Sequence, residues 1–490
     1  MCAEPARRRF LPVTGATGTG VTLDPLHFSA TEAGAEQTRT IAGRFEPGAP
    51  DWVYVPVRVP PGVREIAASY TYDRPEPPAG TPGNALDLGA FDETGFRGWS
   101  GGARDSFTIS RSEATPGYLP GPVRPGEWRV ALGPYTVAPQ GMNWTVTVTL
   151  RFGEPGPAFV PSHAPPRATG RGRAWYRGDM HLHSVHSDGA WLPEQIVAGA
   201  RASGLDFIVS TEHNTSSAAG IWGHHARDDL LIIDGEEITT RNGHYTALGL
   251  PPGTWIDWRY RAVDGVISRF LKEIHRHGAL AVAAHPFGPF VGGQWKFGYD
   301  QVDAIEVWNG PWTPDDEAAL QLWNGLLVEG NRWIPAVGDS DSHKEDQAIG
   351  LPQNVVLADD LERGAILSAV KAGRLYVTES SAISLSFTAA AGSRTAGIGE
   401  RLNAAPGEQV EVSLRSEGVA AGVIRLFTDE GQVFEGPVFE GPVFEGPVFK
   451  EKVGTAGWRT TPRVSPYVRA EVRHPDGSMA AFTNPIFLGR

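Results

Sequence analysis

Apolar and polar residues alternate at every second position in several short segments between about residues 27 and 152. This period is typical of β-strands that bury one face and expose the other. The segments with this pattern are 52–59, 66–72, 86–91, 127–132 and 144–152. Their number and spacing predict an N-terminal β-sandwich.

From residue 174 onward, apolar runs alternate with segments of helical spacing. Strands are predicted at 175–180, 205–210, 230–233, 244–250, 279–284, 304–307 and 334–337, and helices at 193–202, 264–277 and 315–328. Strands that alternate with helices predict parallel β/α units. Because acidic and histidine motifs follow the strands' carboxyl ends repeatedly, a closed barrel with its site at one mouth fits better than an open sheet.

After residue 381 strand patterns return without helices, at 383–387, 409–414, 422–427 and 467–472. They predict a second β-domain. Inside it the pentapeptide Phe-Glu-Gly-Pro-Val occurs at 434–438, 439–443 and 444–448. The repeat is either a binding tract or a hairpin lengthened by slippage, and we favour the hairpin.

A chain of 490 residues is too long for one core. We predict a flexible lead-in at 1–26, the N-terminal β-sandwich at 27–152, a proline- and glycine-rich linker at 153–173, the barrel at 174–380 and the C-terminal β-domain at 381–490. The sandwich either binds sugars or serves as an inert lid beside the active site. We favour the lid, because no aromatic platform can be identified from sequence.

The 43 basic and 56 acidic residues give a formal charge of -13, which argues against extended nucleic acid as a partner. The only cysteine is Cys2, so any metal must be held by nitrogen and oxygen ligands. No apolar run approaches the ~20 residues of a membrane span. The first residues lack the apolar segment of a secretory signal, and we therefore expect a cytoplasmic location.

The stretch from Gly178 to Gly189 contains His181, His183 and Asp188 within eight residues. Side chains at i and i+2 of an extended segment point the same way, so the two histidines can hold one cation. Imidazole nitrogen with carboxylate oxygen suits zinc, manganese or iron better than calcium or magnesium.

Further acid and histidine motifs follow the later strands. Together the candidate metal ligands are His181, His183, Asp188, His213, Glu237, His244, His285, Asp341 and His343. A tetrahedral zinc site needs three or four protein ligands, so nine imply two or three divalent ions with a bridging carboxylate. Such a cluster lowers the pKa of a shared water to near neutrality.

The motifs Asp-x-His-x-His-Ser-x-x-Ser-Asp-Gly, Glu-His-Asn, Gly-x-Glu, His-Pro-Phe and Ser-Asp-x-His resemble those of the PHP (polymerase and histidinol phosphatase) metallohydrolases. The segments 306–310 and 338–343 and the flanking β-domains look most like the carbaryl-hydrolase branch. The resemblance covers about residues 174–380. It implies a distorted seven-stranded β/α barrel, (β/α)7, with two or three metal ions.

The resemblance also implies an assignment of ligands to metals. His181, His183, Glu237 and Asp341 would hold the first ion, and Glu237 would bridge to a second ion held by His244 and His285. Asp188, His213 and His343 would hold a third.

Three positions leave alternatives. Glu212 stands where the PHP family usually has Asp in its Asp-His-Asn motif. The longer side chain places the expected hydrogen-bond acceptor for His213 one methylene further from the backbone. Asp339 replaces a common Gly and competes with Asp341, which we choose for its Asp-x-His spacing. Glu236 competes with Glu237, and the Gly-x-Glu match favours Glu237.

Four residues near these motifs are candidates for the second shell or for substrate binding: Glu212, Asn214, Arg241 and Asn309. Arg241 would either clamp an anionic substrate or lie solvated in a loop. The remaining histidines considered match no motif, and we expect them to be solvated: His186, His224, His225, His275 and His277.

These observations predict a metal-dependent hydrolase in which metal-bound water, rather than a protein nucleophile, attacks a small-molecule ester. No Gly-x-Ser-x-Gly or Walker motif offers a competing chemistry. The family resemblance implies a phosphoesterase first, with a carboxyl or carbamate ester hydrolase of the carbaryl-hydrolase type as the alternative. A non-enzymatic glycan-binding protein is the rival from another class. The sequence leaves the oligomeric state open.

Overall fold

A computed structural model describes residues 23–77, 79–329, 333–438 and 453–489. Within these ranges there are 28 β-strands and five α-helices, so the fold is mostly β. Cys2, most of the expected lead-in, and the second and third pentapeptide copies lie outside the described residues.

The N-terminal region forms two sheets. Its strands are β1 (Leu26–His27), β2 (Glu36–Phe45), β3 (Val53–Val59), β4 (Val63–Tyr72), β5 (Ala85–Asp92), β6 (Gly95–Gly101), β7 (Ser106–Ser110), β8 (Gly126–Thr136) and β9 (Met142–Phe152). The sheet orders are β1-β3-β8-β5-β6 and β2-β9-β4-β7. Alternate residues of β3 and β9 enter one shared hydrophobic core, as in the predicted β-sandwich.

Seven strands follow in spatial order along one sheet. They are β10 (Ala174–Asp179), β11 (Phe207–Ser210), β12 (Leu231–Thr240), β13 (Gly243–Leu248), β14 (Leu280–Ala284), β15 (Ala304–Asn309) and β16 (Ala336–Asp339). The helices are α1 (Pro193–Ala202), α2 (Trp222–His225), α3 (Ile267–Arg276), α4 (Pro314–Glu329) and α5 (Arg363–Lys371). None of the helices in the described residues is both long and apolar enough to cross a membrane.

The strand directions agree only in part with the predicted parallel units. Strands β10 to β12 are parallel to one another, and so are β14 to β16. Strand β13 is antiparallel to both of its neighbours and follows β12 after the two-residue turn Arg241–Asn242. Consequently the start of β13 lies at the same edge as the carboxyl ends of the other strands.

The first and last of the seven strands meet only at one end. Leu182, after β10, forms an isolated parallel bridge with Ser342, after β16. The rest of that edge of β10 pairs with β17 (Gln353–Ala358). The described strands therefore do not form the expected closed barrel by continuous pairing, because β17 occupies the place that β16 would need.

The same sheet continues into the C-terminal region. The remaining strands are β18 (Leu375–Thr378), β19 (Ser384–Ala391), β20 (Arg394–Gly397), β21 (Arg401–Leu402), β22 (Val410–Glu417), β23 (Val423–Thr428), β24 (Gly431–Pro437), β25 (Val453–Thr460), β26 (Tyr467–Arg473), β27 (Met479–Thr483) and β28 (Ile486–Leu488). From β10 the sheet runs through β17, β18, β27, β26, β23 and β24, whereas β19, β20, β22 and β25 form a separate sheet. Since one sheet crosses residue 380, the domain boundary there stays a prediction.

Candidate metal centre

The chain segments after β10 and β16 run side by side and bring three candidate ligands together. The backbone N–H of Asp341 donates to the carbonyl of His181 at 3.0 Å, and that of His183 donates to Ser342 at 3.1 Å. Oδ1 of Asp341 consequently lies 3.0 Å from Nε2 of His183 and 3.4 Å from Nε2 of His181. Both rings are buried.

Glu237, near the end of β12, lies at the centre of the cluster. Its carboxylate is surrounded by imidazoles on both oxygens. Oε2 lies 3.2 Å from His181 Nε2, 3.3 Å from His183 Nε2 and 2.8 Å from His213 Nδ1, while Oε1 lies 2.8 Å from His244 Nδ1 and 3.2 Å from His285 Nε2. A carboxylate in this position is suited to bridge two cations.

A second concentration of donors surrounds Asp188. Its Oδ1 lies 3.4 Å from Nε2 of His213 and 3.3 Å from Nε2 of His343. The His183 ring stacks against each of those two rings, with centroids 4.2 Å and 4.1 Å away. The predicted third set of ligands is thus brought together, with His183 beside it.

Several groups of donor atoms lie within 4.8 Å of one another. They are His183, Asp188, His213 and His343; His181, His183, Glu237 and Asp341; His181, His285 and Glu306; and His213, Glu237 and His244. All nine predicted ligands belong to at least one group. Which ion each residue would hold stays a prediction.

The two alternative carboxylates lie away from the cluster. Asp339 accepts hydrogen bonds from the backbone of Met180 and from Asn354, both at 2.7 Å. Glu236 points to the other face of β12, as strand alternation requires, and accepts from the backbone of Ile256 at 2.8 Å. The geometry therefore favours Asp341 and Glu237 as ligands.

Glu306 is a site residue that the sequence interpretation did not include. It lies in β15, and its Oε1 is 3.0 Å from Nδ1 of His181. Its Oε2 accepts a hydrogen bond from the backbone N–H of His285 at 2.6 Å. Its place near the carboxyl end of a strand, like that of Glu237 in β12, is the signal that could have identified it.

Glu212 differs from the expected acceptor to His213. It accepts hydrogen bonds from Ser187 Oγ at 2.6 Å and from the backbone and hydroxyl of Ser184. The Nδ1 atom of His213 instead lies 2.5 Å from Thr239 Oγ1. Glu212 therefore fixes the loop after His183 rather than the ring of its neighbour.

Asn214 and Asn309 form hydrogen bonds with residues of the candidate site. Asn214 accepts from the backbone N–H of Thr239 at 2.8 Å and donates to its carbonyl at 3.3 Å, as a strand partner would. Asn309 donates to Glu306 at 3.1 Å and to Asp341 at 3.3 Å. Asn309 thus orients the candidate ligand Asp341, and Asn214 orients Thr239, which contacts His213.

Arg241 is not solvated. Its side chain is only 10% exposed, and its Nη2 lies 3.5 Å from Oδ2 of Asp87. Its Cζ lies 4.0 Å from the ring centroid of Tyr135 and 5.1 Å from that of Trp52. These partners all come from the N-terminal region, so Arg241 joins that region to the site.

A cavity of about 680 Å³ opens over the candidate ligands. Residues of the N-terminal region and of the central sheet line it together. Its apolar wall includes Trp52, Trp99 and Trp258, whose ring centroids lie 4.6–5.7 Å apart. Arg241 and the candidate ligand Asp188 lie on the same cavity. A molecule bound here would contact both regions of the chain.

The donor set fits cation binding. Buried polar atoms without a hydrogen-bond partner among the described residues include Nε2 of His181, His183 and His244, Nδ1 of His285, Oε2 of Glu237 and Oδ1 of Asp341. Of these, Nε2 of His181 and of His183 lie 3.0–3.4 Å from the two carboxylate oxygens. A buried polar atom left unpaired costs about 1–3 kcal/mol. Nitrogen and oxygen atoms in this arrangement are the ligands that zinc, manganese and iron accept.

The pKa shifts differ among the candidate ligands. Burial lowers the pKa of the histidines, but nearby carboxylates outweigh it and raise the pKa of His181, His213, His285 and His343, whereas the shifts at Glu237 and His183 favour the states that bind cations. Burial would raise the pKa of Glu237, but His213, His181 and His244 hold that pKa well below its usual value. Burial, together with His343 and His213, lowers the pKa of His183 to about 3. The carboxylate is therefore ionised and the imidazole neutral, as metal ligands must be.

Three site residues adopt backbone angles that non-glycine residues rarely adopt. The φ angles are 54° for Asn214, 25° for His285 and 49° for Asp341, and these are the only positive values at non-glycine residues within the described ranges. Each such conformation costs about 1–3 kcal/mol. The surrounding hydrogen bonds hold these residues in place.

The histidines that match no motif have other partners or lie apart from the ligand groups. Nε2 of His275 lies 2.7 Å from Asp303, and Nδ1 of His186 lies 2.9 Å from Ser217 Oγ. His225 lies 3.9 Å from Glu194, and His277 caps α3. None of these five belongs to a candidate ligand group in the described residues, His224 included.

No family model and no curated protein matches the chain. One similar solved structure is a two-domain protein containing a predicted PHP-like metal-dependent phosphoesterase from Bacteroides vulgatus, with 18% identity, 66% of this chain and 98% of that chain covered, and a TM-score of 0.33. Another is an amidohydrolase from Chromobacterium violaceum, with 19% identity, 35% and 89% covered, and a TM-score of 0.25. Likenesses this weak carry no argument about the chemistry of this chain.

Proposed function

We propose that this protein is a metal-dependent hydrolase of small-molecule esters. The observation that carries the proposal is the convergence of buried, unpaired imidazole and carboxylate atoms around Glu237. Burying polar atoms without partners is costly, and a bound cation would satisfy these atoms.

Two or three divalent ions, of manganese, zinc or iron, would be held by the nine candidate ligands. His181, His183, Glu237 and Asp341 would hold the first; Glu237, His244 and His285 the second; and Asp188, His213 and His343 the third. Such ions would supply Lewis acidity toward the ester oxygen and would activate water for attack.

The protein's own residues would position the ligands and the substrate. Asn309 donates to Asp341 and keeps that carboxylate turned toward His181 and His183. Arg241, fixed between two aromatic rings, would bind a polar or anionic end of the substrate at the cavity wall.

We propose a phosphoester as the substrate class, with a carboxyl or carbamate ester as the alternative. The alternative is favoured by one observation, the apolar wall of Trp52, Trp99 and Trp258. Such a wall would accommodate an apolar ester group better than a second charged one.

The test is metal analysis of protein reconstituted with manganese, zinc or iron, combined with an ester panel. The panel contains 4-nitrophenyl phosphate, bis-4-nitrophenyl phosphate, 4-nitrophenyl acetate and a naphthyl methylcarbamate. We expect two or three metal equivalents and hydrolysis of at least one ester class. Asp341→Ala should abolish turnover, whereas His275→Ala, outside the cluster, should leave it unchanged.

Protein that binds no metal under these conditions would contradict the proposal. Glycan binding that persists in Glu237→Ala, without hydrolysis of any ester, would instead support the rival glycan-binding function.

A further inference from the structure

Asp188 is the most exposed of the nine candidate ligands. Its side chain is 47% exposed, whereas His343 is 24% exposed and Glu237 is fully buried. The other candidate ligands are at most 24% exposed, so burial restrains them more than it restrains Asp188. Its position must depend on the loop 184–188 that connects it to His183.

Glu212 holds that loop from the inside. It accepts hydrogen bonds from the hydroxyls of Ser184 and Ser187. These contacts fix the first and fourth residues of the loop, but they leave the outward-facing carbonyls to be satisfied by another group.

Arg104, from the N-terminal region, supplies that group. It follows β6, and its guanidinium donates through Nη1 to the carbonyl of Ser187 at 2.8 Å and through Nη2 to the carbonyl of Val185. A planar guanidinium can hold two carbonyls in one fixed geometry, which the single ammonium of lysine does less well. One side chain therefore fixes the outer face of the loop.

Gly117 provides a second contact between the N-terminal region and the segments around the site. The backbone N–H of Gly117 donates to Ser217 Oγ at 3.1 Å, and its carbonyl accepts from Thr215 Oγ1 at 2.8 Å. A Cβ atom on Gly117 would lie 2.7 Å from the carbonyl oxygen of Trp99 and 3.1 Å from that of His186. The N-terminal region thus lies directly against the loop.

We propose that Arg104 is a positioning residue that holds Asp188 where it can share a cation with His213 and His343. The inference rests on the proposed function. It makes the N-terminal β-region a working part of the metal centre rather than an inert lid.

The experiment compares metal equivalents in wild type, Arg104→Ala, Arg104→Lys and the exposed control Arg58→Ala, after reconstitution with manganese and removal of free metal. We expect Arg104→Ala to lose one equivalent, or to bind its weakest equivalent at least about tenfold less tightly. Arg104→Lys should fall between it and wild type, and Arg58→Ala should match wild type.

Two further measurements separate positioning from a general loss of structure. The metal-free melting temperature of Arg104→Lys should stay close to that of wild type. In an Asp188→Ala background, Arg104→Ala should cause no further loss of metal, because both changes disable the same set of ligands.

The outcomes distinguish this inference from the proposed function. Wild type that binds no metal overturns both. Wild type that is loaded, with Arg104→Ala and Arg104→Lys loaded to the same extent and affinity, overturns the role of Arg104 alone.

Discussion

Three residues at the candidate centre, Asn214, His285 and Asp341, have positive φ angles, which are unfavourable for residues other than glycine. Asn214 is the clearest case, because its φ of 54° and its two bonds to Thr239 occur together. From sequence, the Asp-x-His spacing led to the choice of Asp341 over Asp339, and that choice stays a prediction. Glu306 was not among the predicted ligands, although its place near the carboxyl end of an apolar strand was a signal that could have identified it.

Replacing Asn214 should separate backbone strain from hydrogen bonding. Both Asn214→Ala and Asn214→Gly remove the amide, but only alanine also pays about 1–2 kcal/mol for the left-handed conformation. We expect Asn214→Gly to be the more stable of the two by about 1 kcal/mol in chemical denaturation. Equal stability of the two variants would contradict a strained backbone at this position.

Asp234 in β12 should make stability depend on pH. Burial raises the pKa of Asp234 to about 7, against the effect of His163 and Arg363. Because the folded state keeps the proton while the unfolded chain loses it near pH 4, stability should fall as pH rises from about 4 to 7. The slope from this group is at most about 1.4 kcal/mol per pH unit.

The variant Asp234→Asn cannot ionise and provides the comparison. Its stability relative to wild type should improve steadily across that pH range and remain constant above it. Denaturation curves at pH 4.5, 6 and 8 would show this, and parallel pH profiles for the two proteins would refute it.

Individual strands and helices were predicted best where apolar residues are regularly spaced. The helix predicted at 193–202 has those bounds in the structure, and the strand at 144–152 was extended by only two residues. Strand β2 was missed because most of its residues are exposed, which leaves no apolar alternation. Strand β12 was predicted to stop at residue 233 because its continuation contains the polar residues of the site.

A pair of glycines tests how tightly the central sheet packs. A Cβ on Gly178 in β10 would lie 2.2 Å from the Phe207 ring, whereas a Cβ on Gly325 in α4 would meet no atom within 4 Å. We expect Gly178→Ala to destabilise the fold by about 1–3 kcal/mol. Gly325→Ala should stabilise it by about 0.5–1 kcal/mol, since alanine is the better helix former.

Thermal denaturation of the two variants beside wild type would check this contrast. A Gly178→Ala protein as stable as Gly325→Ala would show that the Phe207 ring can move aside without loss.

At the scale of the whole molecule, the sequence predicted several β-rich units but not how they join. The expected closed barrel requires β10 and β16 to pair along their length, and the described strands meet only at the Leu182–Ser342 bridge. Pairing partners that are distant in sequence, such as β17 with β10, leave no periodic signal. Contacts of side chains between distant regions, such as that of Arg104 with Ser187, cannot be predicted from the spacing of apolar residues either.

Removal of metal should lower the stability of the whole chain. Ligand binding to the folded state adds about 2.7 kcal/mol per site when the free ligand is at 100 times its Kd. We expect chelator-treated protein to melt at a lower temperature than manganese-reconstituted protein, and His213→Ala to show a smaller difference. Identical melting with and without manganese would contradict this expectation.

Strand β17 pairs with β10 on one side and with β18 on the other, and β18 in turn pairs with β27. A chain truncated at residue 380 would keep the candidate ligands but would lose β27, the partner of β18. The backbone amide and carbonyl groups along that edge of β18, two strands from the one that precedes His181, would then be unpaired. Such an unprotected border recruits other chains. The shortened protein should therefore aggregate during expression instead of yielding a minimal catalyst, and light scattering of the purified fragment would reveal it.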